Sequence, residues 1–94
     1  MEAVNILQMP LEVSFTALII SLASSAAVHF GDLGDPVTGE KQPPNLIAAR
    51  HSIDLLSILE EKTKGNLTDE EQQVLKQVLV ELRMRFVELA TGKA

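Results

Sequence analysis

Cysteine, tryptophan and tyrosine are absent from this chain of 94 residues. Without cysteine the chain forms no disulfide and offers no thiolate to a metal ion. The two histidines, His29 and His51, are far apart in sequence and neither has an obvious second ligand, so no metal site is expected. Aromatic residues make up only 3% of the chain, which argues against a platform for stacking bases. We therefore expect neither a metal nor another cofactor.

Positive charge is missing from the first part of the chain. Residues 1–40 contain five acidic residues and no lysine or arginine, whereas residues 41–94 contain eight of each sign. The net charge is −5. An acidic surface repels phosphate backbones and anionic lipid headgroups. Nucleic acid is therefore disfavoured as a partner.

Recognisable catalytic motifs are also lacking. The sequence has no glycine-rich phosphate-binding loop and no pairing of a nucleophile with a base. The paired carboxylates Glu60–Glu61 and Glu70–Glu71 lie near predicted helix ends, where capping and solvation account for them. We expect no enzymatic activity.

The short length of the chain bears on how its core is completed. A small protein buries a limited share of its surface and commonly relies on a disulfide, a metal or a partner chain. The composition leaves only the partner chain. Because 46% of the residues are hydrophobic and few of these are aromatic, the core is of the aliphatic kind typical of helical bundles. We predict a homo-oligomer, with a dimer favoured.

Three segments of the sequence have the pattern of helices, which predicts an all-α fold. Pro10 prevents a continuous helix in residues 1–12, so these form an irregular lead-in to a single helical domain over residues 13–91. The predicted helices cover about residues 14–30, 45–64 and 68–91, and the loop over residues 31–44 holds three glycines and three prolines.

Several residues mark where the helices begin and end. Ser14 is a plausible N-cap of the first helix, and Gly31 and Gly65 are expected to end the first and second helices. Thr68 and Glu71 have the spacing of a capping box, in which each side chain accepts a hydrogen bond from the other residue's backbone N–H. The third helix therefore has the clearest start in the chain.

The third helix also carries a regular apolar seam. Its large apolar residues recur at alternating spacings of four and three: Leu75, Leu79, Leu82, Phe86 and Leu89. A tight turn joins this helix to the second one, which is of similar length. The pattern predicts an antiparallel hairpin of the second and third helices.

The first helix is unusual because residues 13–30 contain no charge. Such a run is near the lower limit for a membrane span, but it includes serine, threonine and histidine and lacks flanking lysine or arginine. A helix that is apolar all round must be covered all round, and the long loop after it would let it dock away from the second helix. We predict an oligomer interface formed by Phe15, Ala17, Leu18, Ser21, Leu22, Ser24 and Val28. A membrane-associated helix remains an alternative.

A second predicted surface combines the turn before the third helix with two arginines on that helix. Its residues are Lys62, Thr63, Lys64, Asn66, Arg83 and Arg85. Helix stop and cap signals account for Gly65 and Thr68, but they require none of Thr63, Lys64 or Asn66. The hypothesis is that this surface recognises an unknown protein partner. If Arg83 and Arg85 converge with basic residues of another subunit, a small nucleic-acid or anion-binding module is the alternative.

The stretch Glu61–Thr68, which reads Glu-Lys-Thr-Lys-Gly-Asn-Leu-Thr, is quite specific. Together with Ser21–Ala26, His29–Gly31, Ile53–Leu56, Glu70–Glu71 and Leu82–Val87, it resembles a bacterial family named domain of unknown function 1844. The similarity covers about residues 13–89. It implies a small bacterial cytoplasmic protein without an assigned activity, and it supplies no catalytic residues. The combined prediction is a non-enzymatic, oligomeric helical protein with a structural or protein-interaction role.

Overall fold

The computed structural model describes residues 13–92, which form three α-helices and, within that range, no strand. Helix α1 is Phe15–Phe30, α2 is Leu46–Lys62 and α3 is Asp69–Thr91. The predicted all-α fold is confirmed. The lead-in predicted for residues 1–12 lies outside the described residues.

Helix α1 has a side-chain cap at one end and a glycine at the other. The Ser14 hydroxyl accepts a hydrogen bond from the Ala17 N–H at 3.1 Å. At the other end, Gly31 adopts the left-handed conformation, with φ of 84°, and its N–H donates to the Val28 carbonyl at 3.0 Å. These bonds satisfy backbone groups that a helix leaves unpaired at its ends.

Helix α2 ends at Lys62, slightly before the predicted residue 64. The hydroxyl of Thr63 donates to the Leu59 carbonyl at 2.6 Å, and the Thr63 N–H donates to the same oxygen at 3.0 Å. Gly65 then adopts the left-handed conformation within the turn, with φ of 86°. The turn therefore begins at Thr63, and Gly65 reverses the chain inside it.

Helix α3 starts with a complete capping box. The Glu71 N–H donates to the Thr68 hydroxyl at 3.1 Å, and the Thr68 N–H donates to the Glu71 carboxylate at 2.9 Å. Three acidic residues lie in the first turn, where their negative charges interact favourably with the positive end of the helix dipole. The start of α3 is thus fixed by local interactions alone.

The core lies where the three helices meet, and all three contribute to it. Leu75 and Leu79 of the α3 seam are buried, and Leu82, Phe86 and Leu89 pack at its edge. The buried hydrophobic residues are Ile19, Ala26, Phe30, Ala49, Ile53, Leu56, Leu75 and Leu79. The core is aliphatic apart from Phe30, as the composition predicts.

Helix α1 does not dock away from α2, contrary to the expectation from the loop length. The Asn45 N–H donates to the His29 carbonyl at 2.7 Å, so the start of α2 lies beside the end of α1. Helix α1 packs against both α2 and α3. Residues 31–44 form a loop whose two ends are held together.

None of the helices in residues 13–92 combines the length and the apolar character that crossing a membrane would require.

Candidate interaction surfaces

The side of α1 that faces away from the core is uncharged and partly apolar. Leu18 is 44% exposed and Ile20 is 53% exposed. Around the helix, small or polar residues fill the surface between these two side chains. They lie about half a turn away from the buried Ile19 and Ala26. We call this set the outer face of α1: Ala17, Leu18, Ile20, Ser21, Ser24, Ser25 and Val28.

A shallow depression of about 350 Å³ lies on the outer face of α1. Its floor is formed by small side chains, including Ser21, Ser24 and Ser25, and one wall is Pro36 of the loop. The loop therefore stands beside the C-terminal half of α1.

Two of the seven residues predicted for the oligomer interface are engaged inside the chain. Phe15 and Leu22 pack against the buried core instead of lying on the outer face. They fall on the same side of the helix as Ile19 and Ala26, which are fully buried. The other five, Ala17, Leu18, Ser21, Ser24 and Val28, belong to the outer face of α1.

The turn residues of the predicted partner surface have different local roles. Lys62, Lys64 and Asn66 are exposed, whereas Thr63 is half-buried and its hydroxyl caps α2. A cleft of about 450 Å³ lies against this turn, between the end of α2 and the first turns of α3. The cleft is lined by Glu60, Glu61, Thr63, Lys64, Gly65, Leu67, Gln72, Leu75 and Lys76. Its charges are balanced between the two signs, which suits no single charged ligand.

Arg85 forms an ion pair that the sequence pattern did not indicate. Its Nε and Nη2 donate to the two carboxylate oxygens of Asp32 at 2.8 and 2.7 Å, and its Nη1 donates to Glu88 at 3.1 Å. Bidentate arginine–carboxylate pairs are the strongest and most directional of the charged hydrogen bonds. This pair joins the loop after α1 to α3.

The ion pair also shifts the pKa of both side chains. The hydrogen bonds from Arg85 hold the pKa of the Asp32 carboxyl below its usual value of 3.8, and burial opposes this only partly. In the other direction, the hydrogen bonds to Asp32 and Glu88 raise the pKa of the Arg85 guanidinium. The Asp32 carboxylate is therefore ionised throughout the neutral range.

Arg83 and Arg85 do not form one basic patch. Residues two apart on a helix point about 200° away from each other. Arg85 accordingly faces Asp32 beside α1, whereas Arg83 reaches α2, where its Nη2 donates to the Ser57 hydroxyl at 2.8 Å. Both are also about 20 Å along α3 from the turn residues. Within one chain, Arg83, Arg85 and the basic residues of the turn therefore form no common patch. A nucleic-acid or anion site that joins the arginines to basic residues of another subunit stays a prediction.

Asp32→Asn is expected to destabilise the fold at neutral pH by removing one charge of this pair. Because the pKa of Asp32 is lowered in the folded protein, its contribution is complete above 3.8, the usual aspartate pKa, and is lost as the pH falls through the folded value. The stability difference between wild type and variant should therefore shrink in acid. Urea unfolding of both proteins across the acidic range measures it.

Asp54→Asn is the control for this prediction. Asp54 also faces an arginine, but its oxygen lies 3.9 Å from Arg50 Nε and both side chains are more than half exposed. Solvent-exposed pairs of this kind contribute little. A loss of stability in Asp54→Asn equal to that in Asp32→Asn would show that the bidentate geometry is not what matters.

These features define a small all-helical protein with a continuous core and an uncharged helix face left open. The chain belongs to the family described as Domain of unknown function (DUF1844), whose model matches residues 12–88. The resemblance seen in the sequence is thereby confirmed. No curated protein and no solved structure matches the chain.

Proposed function

We propose that this protein is a helical interaction module that forms a homodimer through the outer face of α1. The observation that carries the proposal is the distribution of large hydrophobic side chains. Within residues 13–92, eleven large hydrophobics are exposed and eight hydrophobic residues are buried. A contiguous exposed apolar surface, unlike single exposed residues, usually marks a place where another molecule binds. Leu18 and Ile20 flank such a surface on the outer face of α1.

The outer face of α1 is the best of these places for a second copy. It carries no charge, so burying it requires no ion to lose its water. Its central residues, Ala17, Ser21 and Ser24, are small and would let two helix backbones approach closely. A serine hydroxyl in a helix can bond to the carbonyl of the preceding turn, so its burial leaves no unpaired group.

Energetics indicate how large the interface must be. Fully burying a leucine or isoleucine side chain contributes about 1.5–3 kcal/mol. Association costs about 4–15 kcal/mol in lost freedom of motion. The free energy from covering the half-exposed Leu18 and Ile20 of both subunits only just matches the lower end of that cost. We infer that the exposed Val37, next to Pro36 at the edge of the depression, is also covered in the dimer.

Light scattering on a sizing column, at several concentrations and without detergent, tests the proposal. Wild type should elute as a dimer, and Ser24→Glu should be monomeric because it would bury two carboxylates opposite each other. Gln73→Glu, at an exposed position of α3, adds the same charge and should leave the dimer intact. A wild-type monomer at every concentration, or a dimer that tolerates Ser24→Glu, contradicts the proposal.

The interaction role and the cytoplasmic location expected from the family resemblance are both part of this proposal. Within it, the exposed Lys62, Lys64 and Asn66 remain the predicted contacts to an unknown protein partner. Replacing all three by alanine should weaken capture of that partner without changing the molar mass of the dimer. An unchanged set of captured proteins would remove the turn from the proposal.

A further inference from the structure

A groove runs between α2 and α3 on the side of the hairpin that α1 leaves uncovered. Its residues are Arg50, Ile53, Asp54, Arg83, Phe86 and Val87, and its volume is about 330 Å³. All six belong to α2 or α3. The groove is therefore separate from the outer face of α1 and from the cleft at the turn.

The surroundings of the groove are apolar along both helices. Ile53 is buried at its floor, and Val87 at its edge is 57% exposed. Ile47 lies two turns before Asp54 on α2 and is 87% exposed, while Val80 lies two turns before Val87 on α3 and is 54% exposed. Two packed helices with an apolar furrow between them form the usual seat of another amphipathic helix.

The charge at the rim of the groove is positive, although the chain as a whole carries −5. Arg83 donates to Ser57, a neutral acceptor, so its charge is not compensated there. Arg50 approaches Asp54 only to 3.9 Å, and both side chains are well exposed. Two guanidinium groups thus face one carboxylate. A ligand that supplies carboxylates on either side of an apolar stripe would complement this rim.

We propose that the groove binds an amphipathic helix of a partner protein whose apolar stripe is flanked by acidic residues. Its apolar side chains, spaced at three and four residues, pack on Ile53, Phe86 and Val87. Its carboxylates pair with Arg50 and Arg83, and arginine suits this role because its donors match a carboxylate in pairs. The proposal does not depend on the dimer, because the two surfaces share no residue.

A pair of synthetic helical peptides provides the probe. Both carry leucine at positions spaced by three and four residues, and one has glutamate beside the leucines where the other has lysine. Binding to the full-length protein is followed by fluorescence anisotropy. The glutamate peptide should bind wild type about tenfold more tightly than the lysine peptide, which corresponds to two modest charge pairs. The doubly substituted Arg50→Glu, Arg83→Glu protein should prefer the lysine peptide.

Two further variants separate the groove from the rest of the surface. Lys41→Glu with Gln73→Glu also makes the net charge more negative, at exposed positions outside both the groove and the turn, and should keep the wild-type preference. Val87→Ser changes no charge and should weaken binding of both peptides. All three variants alter exposed side chains, and their unfolding curves verify that the fold is retained.

Three results would overturn the proposal. One is an unchanged preference in the Arg50→Glu, Arg83→Glu protein. Another is an equal change in the Lys41→Glu, Gln73→Glu protein, which would reduce the effect to net charge. The third is a change of molar mass in the arginine variant, which would assign the groove to a second copy of this chain. If wild type is a monomer and the Arg50→Glu, Arg83→Glu protein prefers the lysine peptide, the proposed dimer is wrong and the groove proposal still holds.

Discussion

Leu56→Ala is expected to lower the free energy of unfolding by about 2–5 kcal/mol, the largest effect of any single change considered for this protein. Leu56 is completely buried and lies in a core to which all three helices contribute. Removing its side chain loses the transfer free energy of the buried carbons and leaves a cavity that the helices fill only partly. Since the free energy of unfolding of a native protein is about 5–15 kcal/mol in total, the variant would lose a large share of its stability.

The neighbouring residue provides the matched control. Leu55 is chemically identical but 38% exposed, so Leu55→Ala should cost about 1 kcal/mol or less. Urea unfolding followed by circular dichroism measures both, at one fixed protein concentration because dimer formation makes stability depend on it. If the two alanine variants lost equal stability, the core would not be centred on the junction of the helices.

The helix ends could be predicted from the sequence because the signals that set them are local. Ser14, Gly31 and Thr68 act through hydrogen bonds to residues no more than four positions away. The seam of α3 was also readable, because its spacing places Leu75 and Leu79 on one side of a helix. Helix α2 ends at Lys62 and not at the predicted residue 64, and this difference also has a local cause. The Thr63 hydroxyl caps α2 before Gly65 is reached.

The orientation of α1 could be predicted only in part. A helix without charged residues has no polar side to mark where solvent lies, so the sequence alone predicts one surface for Phe15, Leu22 and the serines Ser21 and Ser24. Packing on α2 and α3 separates the two sets. The small-residue side faces outward, and the side with Phe15 faces the core.

The contact between Asp32 and Arg85 was beyond prediction because it joins residues 53 positions apart. The sequence shows an acidic loop residue and a basic helix residue, and solvent exposure is the ordinary interpretation of each. Their pairing depends on a loop whose two ends meet between His29 and Asn45. The α2–α3 groove is beyond sequence prediction for the same reason, since Arg50 and Arg83 line one groove only once α2 and α3 have packed together.

Gly31→Ala is expected to have the second largest effect, because two costs fall on one residue. The left-handed conformation of Gly31, with φ of 84°, costs an L-residue about 1–2 kcal/mol. In addition, a Cβ at this position would lie 2.8 Å from the backbone oxygen of Gln42, which must then move. Gly39 has a similar φ of 76° but no atom within 4 Å of an added Cβ, so Gly39→Ala should show the first cost alone.

The comparison of these two glycine variants tests whether the loop, the end of α1 and α3 form one coupled unit. Moving Gln42 would disturb the closure between His29 and Asn45 and so displace Asp32, which follows Gly31 directly and pairs with Arg85. Gly31→Ala and Asp32→Asn should therefore be non-additive, whereas Gly39→Ala and Asp32→Asn should be nearly additive. Urea unfolding of the single and double variants decides it. Additive losses in both pairs would mean that the closed loop does not position the ion pair.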